Sequence, residues 1–261
     1  YENVEDARDE GLDYVELRFS PWFMAETHGL APAGVVEAVA DGIVAGERDF
    51  GVRAQAIGIL SRTYDTRTCH HELDALLAHR DHLVAIDLAG DEERFPARLF
   101  REHFRRARDA GLQVTVHAGE VDGPQSVWEA IRELGATRIG HGIHSLQDPA
   151  LIDYLVERRI GLEIAITSNI HTGTVGRYAG HPVKALLERG VVANLNTDDP
   201  AISGIDLRHE FEVAAPSAGL TPGQTRQAQV NGLAMAFLPE SEKTALCAAR
   251  AARASTEESN R

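Results

Sequence analysis

Seven short runs rich in β-branched and apolar residues alternate with amphipathic stretches along this chain, and that alternation restricts its fold more than any other feature. The runs are Tyr14–Phe19, Ala54–Leu60, Leu83–Asp87, Val114–His117, Arg138–His141, Leu162–Ala165 and Val191–Asn196. Between them Ala33–Asp49, Cys69–Ala78, Ala97–Ala110 and Ser126–Leu134 carry apolar residues at helical spacing. Pro149–Arg158 and Pro182–Glu188 continue the pattern, each opening on a Pro that suits the first turn of a helix. Strand then helix, repeated, implies parallel strands joined by right-handed crossovers. A doubly wound sheet would want a Gly-rich phosphate loop after an early strand, and the chain has none there. The expected fold is therefore an α/β barrel of the TIM (β/α)8 type whose first β/α unit is missing in front. Tyr1–Gly11 reads as the end of a helix feeding a strand, with no Met before it. One N-terminally incomplete barrel domain over residues 1–261 is the expectation.

Charge narrows the partners. A formal charge of −14 with no basic stripe makes the chain a poor match for nucleic acid or an anionic membrane, which would repel it. Cys69 and Cys247 are far apart and lack Cys-x-x-Cys spacing, which supports neither a disulfide framework nor a Cys-rich zinc site. No run of apolar residues is long enough for a membrane span, and no targeting segment is visible. The expectation is a cytoplasmic protein acting on a small molecule, with its oligomeric state left open.

Residues able to do chemistry fall at the C-terminal ends of the expected strands, one strand after another. They are Glu16, Arg18 and Ser20; Ser61 and Arg62; Asp87 with Ala89–Glu92; His117 and Glu120; His141; Thr167, Ser168 and Asn169; and Asp198 with Asp199. One polar residue after a strand is usually a helix cap, but capping does not explain seven in succession. In a barrel all these ends meet on one face, where active sites are built. His117 and Asp198 offer imidazole nitrogen and carboxylate oxygen, a zinc ligand pair, although a core histidine bonded to an acid has the same composition. Glu120, beyond the small pair Ala118 and Gly119, can shuttle a proton at a metal-activated water. Helix capping fits Asp122 better than Glu120. His141, flanked by glycines that leave its ring uncrowded, is either a metal ligand or an electrostatic partner of the attacking hydroxide. Asp198 and Asp199 repel one another, so the pair needs a metal or a donor. His28, His70, His71, His79, His82, His103, His171, His181 and His209 read as surface or helix-end residues.

Taken in order, "VELRFSP", "DLAGDE", "VTVHAGE", "RIGHGIH", "TSN" and "NTDDP" resemble the adenosine deaminases of the amidohydrolase superfamily, most closely the bacterial ones, over Tyr14 to about Phe237. The resemblance implies a zinc-dependent barrel hydrolase of purine metabolism that converts adenosine and 2'-deoxyadenosine to inosine and ammonia. It makes His117 and Asp198 zinc ligands and Glu120 the proton donor to purine N1. His141 would orient the attacking hydroxide, Asp199 would contact N7, and the Gly90 backbone would face N3. The family's other two zinc ligands come from a His-x-His ending the first strand, and no such strand end occurs in this chain. Residues 1–261 alone are therefore expected to bind zinc poorly and to be inactive. The rival readings are an adenine or aminofutalosine deaminase, or a non-catalytic barrel kept for binding.

Overall fold

The computed structural model describes residues 1–259. Its strands are β1 (Tyr14–Phe19), β2 (Arg53–Ser61), β3 (Leu83–Ala89), β4 (Gln113–Ala118), β5 (Arg138–His141), β6 (Gly161–Ile164) and β7 (Ala193–Leu195). They form one sheet in the order β1 to β7, and each pair of neighbours is parallel. Parallel strands in sequence order, with helices in the crossovers, are the arrangement of a TIM barrel. The described residues supply seven of its eight β/α units.

Burial on both faces explains the strand composition. Val114, Val116, Ile139, Leu162, Ile164 and Ala193 are all buried, as expected of strands sandwiched between a barrel interior and a helical coat. The coat is amphipathic: Pro32–Phe50 turns Val35, Val36, Ala40 and Ile43 inward, and Thr66–Ala78 turns Cys69, Leu73 and Leu76. Each buried Leu or Ile contributes about 1.5–3 kcal/mol. At Gly58 of β2 a Cβ would lie 2.3 Å from Leu76, so the glycine lets that helix seat on the strand. No single helix among the described residues is long and apolar enough to cross a membrane. Cys69 is buried, Cys247 is exposed, and both are free thiols.

Beneath the rim the interior is charged rather than apolar. Glu16 pairs with Arg138 at 2.6 Å, Arg138 with Glu163, Glu163 with Arg18, and Arg18 with Asp87 at 2.9 Å. Thr115 donates to Glu163 at 3.1 Å. Removing one member of such a buried chain costs about 3–5 kcal/mol, because its partner is left charged and dry.

The β3–β4 ladder registers only Ala85 with Gln113 and Ile86 with Val114, so the two strands part toward the rim. Arg62, fully buried, fills the gap and donates to Leu88 O at 3.0 Å, His117 O at 2.5 Å and Phe95 O at 3.4 Å.

Some expected boundaries move. The stretch Ser126–Leu134 is an α-helix over Pro124–Glu129 followed by a π turn over Ala130–Leu134, and Val191–Asn196 shortens to three strand residues. His103 is not a surface residue: it is buried, stacked on His70, and bonds Thr66 O through Nε2 at 2.8 Å.

Candidate active site

His117 ends the buried run of β4 and faces Gly140 of β5. A Cβ on Gly140 would stand 3.1 Å from His117 Cγ, so that glycine makes room for the His117 ring, whereas the sequence assigns its effect to His141. Asp87 lies behind the ring, with Oδ2 2.9 Å from Nδ1. That contact occupies Nδ1 and leaves Nε2 as the nitrogen free to bind something else. Burial opposes a charge on His117, but Asp87 overrides it and raises the imidazole above its ordinary value. Asp87 is held far below the usual carboxylate range: burial works against the ion, and His117 and Arg18 prevail.

His141 and Asp198 carry left-handed backbone, at φ 63° and 60°, which non-glycine residues rarely adopt. Each such position costs about 1–3 kcal/mol and persists where its surroundings force it, commonly at a functional site. One ligand atom each from His117, His141 and Asp198 falls within 4.8 Å of the others, a donor set and spacing that suit a zinc ion. Ser168 donates to Asp198 Oδ2 at 2.7 Å. Burial raises Asp198, but His141 and His117 outweigh it and hold the carboxyl below its ordinary value. Asp199 moves the other way, raised by burial and then by Asp198 beside it.

Glu120 stands next to this group, with Oε2 3.5 Å from His141 Nε2 and Oε1 3.4 Å from Asn169 Nδ2. Its loop is shaped by Gly119 at φ 66°, where a Cβ would strike Val127 at 2.6 Å. The Glu92 carboxylate ties the loop down, accepting N–H bonds from Gly119, Glu120, Val121 and Asp122 and a bond from the Ser126 hydroxyl. Asp122 does not cap the following helix, as its sequence position suggests; its side chain accepts from Gly123 N at 2.7 Å.

Two further buried glutamates do the same for other loops. Glu210 accepts from the amides of Ile166 and Thr167 at 3.0 Å each, at the start of the helix Ile166–His171 that carries Ser168 and Asn169. Glu72 accepts from Ser61 N, Trp22 N and the Ser20 hydroxyl, which joins the ends of β1 and β2.

The structure thus brings His117, Glu120, His141 and Asp198 together. Gly90 directly follows β3, at φ 104°, with Thr63 Oγ1 2.4 Å from where a Cβ would be. Sequence reasoning passed over His181 and gave Asp87 no specific role. His181 is buried rather than exposed and bonds Asn169 at 3.2 Å. Asp87, taken from the sequence as a strand-end acid, supports His117 from behind. A Pro directly after His181 was the one available signal for its helix-start position, and it says nothing about burial.

The profile of the adenosine deaminase family matches residues 1–250. The chain belongs to the adenosine deaminase family. Among curated members of that family, the Klebsiella pneumoniae adenosine deaminase is 62% identical over 246 residues, covering 94% of this chain and 74% of the relative. The Vibrio cholerae adenosine deaminase is 59% identical over 253 residues, covering 97% and 76%. Two solved structures of the wider group superpose closely. An adenine deaminase from Arthrobacter aurescens gives a TM-score of 0.88 at 28% identity, over 94% of this chain and 75% of that one. A zinc-bound amidohydrolase from Burkholderia ambifaria gives 0.89 at 27%, over 97% and 71%. Amidohydrolases of this kind are metal-dependent, in keeping with the His and Asp group at the rim.

Proposed function

We infer that this adenosine deaminase family member hydrolyses adenosine, and 2'-deoxyadenosine with it, to the inosine nucleoside and ammonia. The observation that carries the reading is the Glu120 carboxylate beside the His117, His141 and Asp198 group, in a chain 62% identical to an adenosine deaminase.

His117 through Nε2 and Asp198 through its carboxylate would hold one zinc ion, with Asp87 fixing the His117 ring and Ser168 the Asp198 oxygen. Zinc, when bound, supplies a hydroxide nucleophile at neutral pH. Glu120 takes the proton released by water and gives it to purine N1 as C6 is attacked, so the ring gains no net charge. His141, 3.5 Å from Glu120, stabilises the attacking oxygen. Asp199 would contact purine N7, and the Gly90 backbone would face N3. The proton of the new C6 hydroxyl then passes to the amino group, the C6–N bond breaks, and ammonia leaves as the C6 carbonyl forms. Purine salvage in the cytoplasm is the setting proposed for this activity.

The likeness to the Arthrobacter adenine deaminase supports a second reading, deamination of the free base, at a much lower identity of 28%. Turnover of adenosine, adenine and aminodeoxyfutalosine by the zinc-loaded gene product separates the readings. Adenosine is expected to be the preferred substrate, and a higher kcat/KM for adenine would overturn the assignment.

A further inference from the structure

A chain of hydrogen bonds behind His141 has only one possible direction. At its outer end the backbone N–H of Val183 lies 3.1 Å from Nδ1 of His181. A backbone amide can only donate, so this Nδ1 accepts, and the proton of the neutral ring sits on Nε2. That Nε2 is 3.2 Å from Asn169 Oδ1, which can only accept. The Asn169 amide nitrogen in turn lies 3.4 Å from Glu120 Oε1, a carboxylate oxygen that accepts. Asn169 is therefore oriented from both sides. Its remaining contact, 3.0 Å to His141 Nδ1, must be a donated bond.

We propose that Asn169 and His181 are positioning residues that fix His141 as its Nε2–H tautomer, presenting the ring to the Glu120 and Asp198 side as a hydrogen-bond donor and not as a metal ligand. Nδ1 is occupied by Asn169, and Nε2, carrying the proton, lies 3.5 Å from Glu120 and 3.9 Å from Asp198. Neither nitrogen then has a lone pair for a cation. Within the three-residue donor group, His117 and Asp198 remain as ligands. Asn169 is fully buried, and His141 and His181 are 3% and 5% exposed, so water does not supply the missing donors if the chain is broken. Burial also pushes the His181 imidazole down to about 4, in keeping with the neutral ring that its two contacts require. During hydrolysis the Nε2–H donates to the attacking oxygen and keeps its proton; no bond to the ring forms or breaks. This use of the donor rests on the deaminase reading, whereas the tautomer itself rests on the contacts alone.

Long-range 1H–15N correlation spectra of the histidine rings in the intact, zinc-loaded gene product test the proposal, with the His141 signals assigned by their loss in His141→Gln. The expected wild-type pattern is a bare Nδ1 and a protonated Nε2 on both His141 and His181. Asn169→Asp offers only acceptors, so it should place a proton on His141 Nδ1 and lower kcat about 100-fold with KM little changed. His181→Gln keeps a donor toward Asn169 and should leave the His141 pattern intact. A proton on His141 Nδ1 in the wild type, or an unaltered His141 ring in Asn169→Asp, overturns the proposal. The wild-type spectrum needs no substitution, so a misfolded variant cannot mask the answer. An intact gene product that shows the expected tautomers but does not turn over adenosine would refute the deaminase reading alone.

Discussion

Glu92 holds Glu120 without touching its side chain: the Glu92 carboxylate accepts the Glu120 backbone N–H at 3.2 Å, with those of Gly119 at 2.5 Å, Val121 at 3.0 Å and Asp122 at 3.2 Å. Four successive amides converging on one buried anion leave the loop a single conformation. Burial opposes the Glu92 charge, but the Ser126 hydroxyl and the loop amides outweigh it and keep its value below the ordinary 4.5. Glu92→Ala should cost about 3–5 kcal/mol in urea unfolding at neutral pH, with Glu92→Gln in between. Because the folded value is depressed, this stabilisation is complete above the ordinary value and fades as pH falls below it. An Ala variant that loses nothing at pH 7 would contradict the clamp.

Glu120 itself faces the site and supports little else. Glu120→Gln keeps the shape and removes the proton carrier, so turnover should fall by about 10²–10⁴ while the melting temperature stays put. A comparable loss of stability would assign Glu120 a structural role instead.

His181 makes the protein acid-sensitive. Burial pushes its imidazole from 6.5 down to about 4, so between those values the unfolded chain binds a proton that the folded one refuses. Stability therefore declines as pH drops through that window and levels off below it, by on the order of 3 kcal/mol in total. His181→Gln should flatten this part of the stability profile, and an unchanged slope would mean that other groups produce it.

Arg62 replaces the ladder where β3 and β4 separate. Arg62→Met fills the space but leaves the carbonyls of Leu88 and His117 without a donor, at roughly 3–5 kcal/mol. Thermal melts should show this, and Arg62→Lys, able to reach one carbonyl, should recover part of it.

Zinc binding distinguishes the two rim histidines. In the intact gene product His117→Ala should abolish the zinc-dependent rise in melting temperature that mass action gives a folded-state ligand, and His141→Gln should preserve it. The reverse outcome would exchange their roles.

Much of the frame was legible before any coordinates. Tyr14–Phe19 and Arg138–His141 coincide with β1 and β5, and β3 opens on the apolar run Leu83–Ile86 that a strand buried on both faces is expected to show. The convergence of His117, Glu120, His141 and Asp198 followed from the barrel rule alone. What stayed hidden depends on contacts far apart in sequence. Nothing local distinguishes a buried His181 from an exposed one, or tells that Glu92 serves a loop 28 residues further on. The positive φ of His141 and Asp198 was equally invisible, since Asp and His adopt that backbone more often than most residues but still only rarely.

The alternating charges of Glu16, Arg138, Glu163, Arg18 and Asp87 end at the His117 ring, so the geometry of that ring is set by residues on β1, β3, β5 and β6 at once. The catalytic rim is therefore not a portable unit. Grafting His117 and its neighbours onto another barrel would carry the functional groups but not their alignment, unless the charged stack below travelled with them.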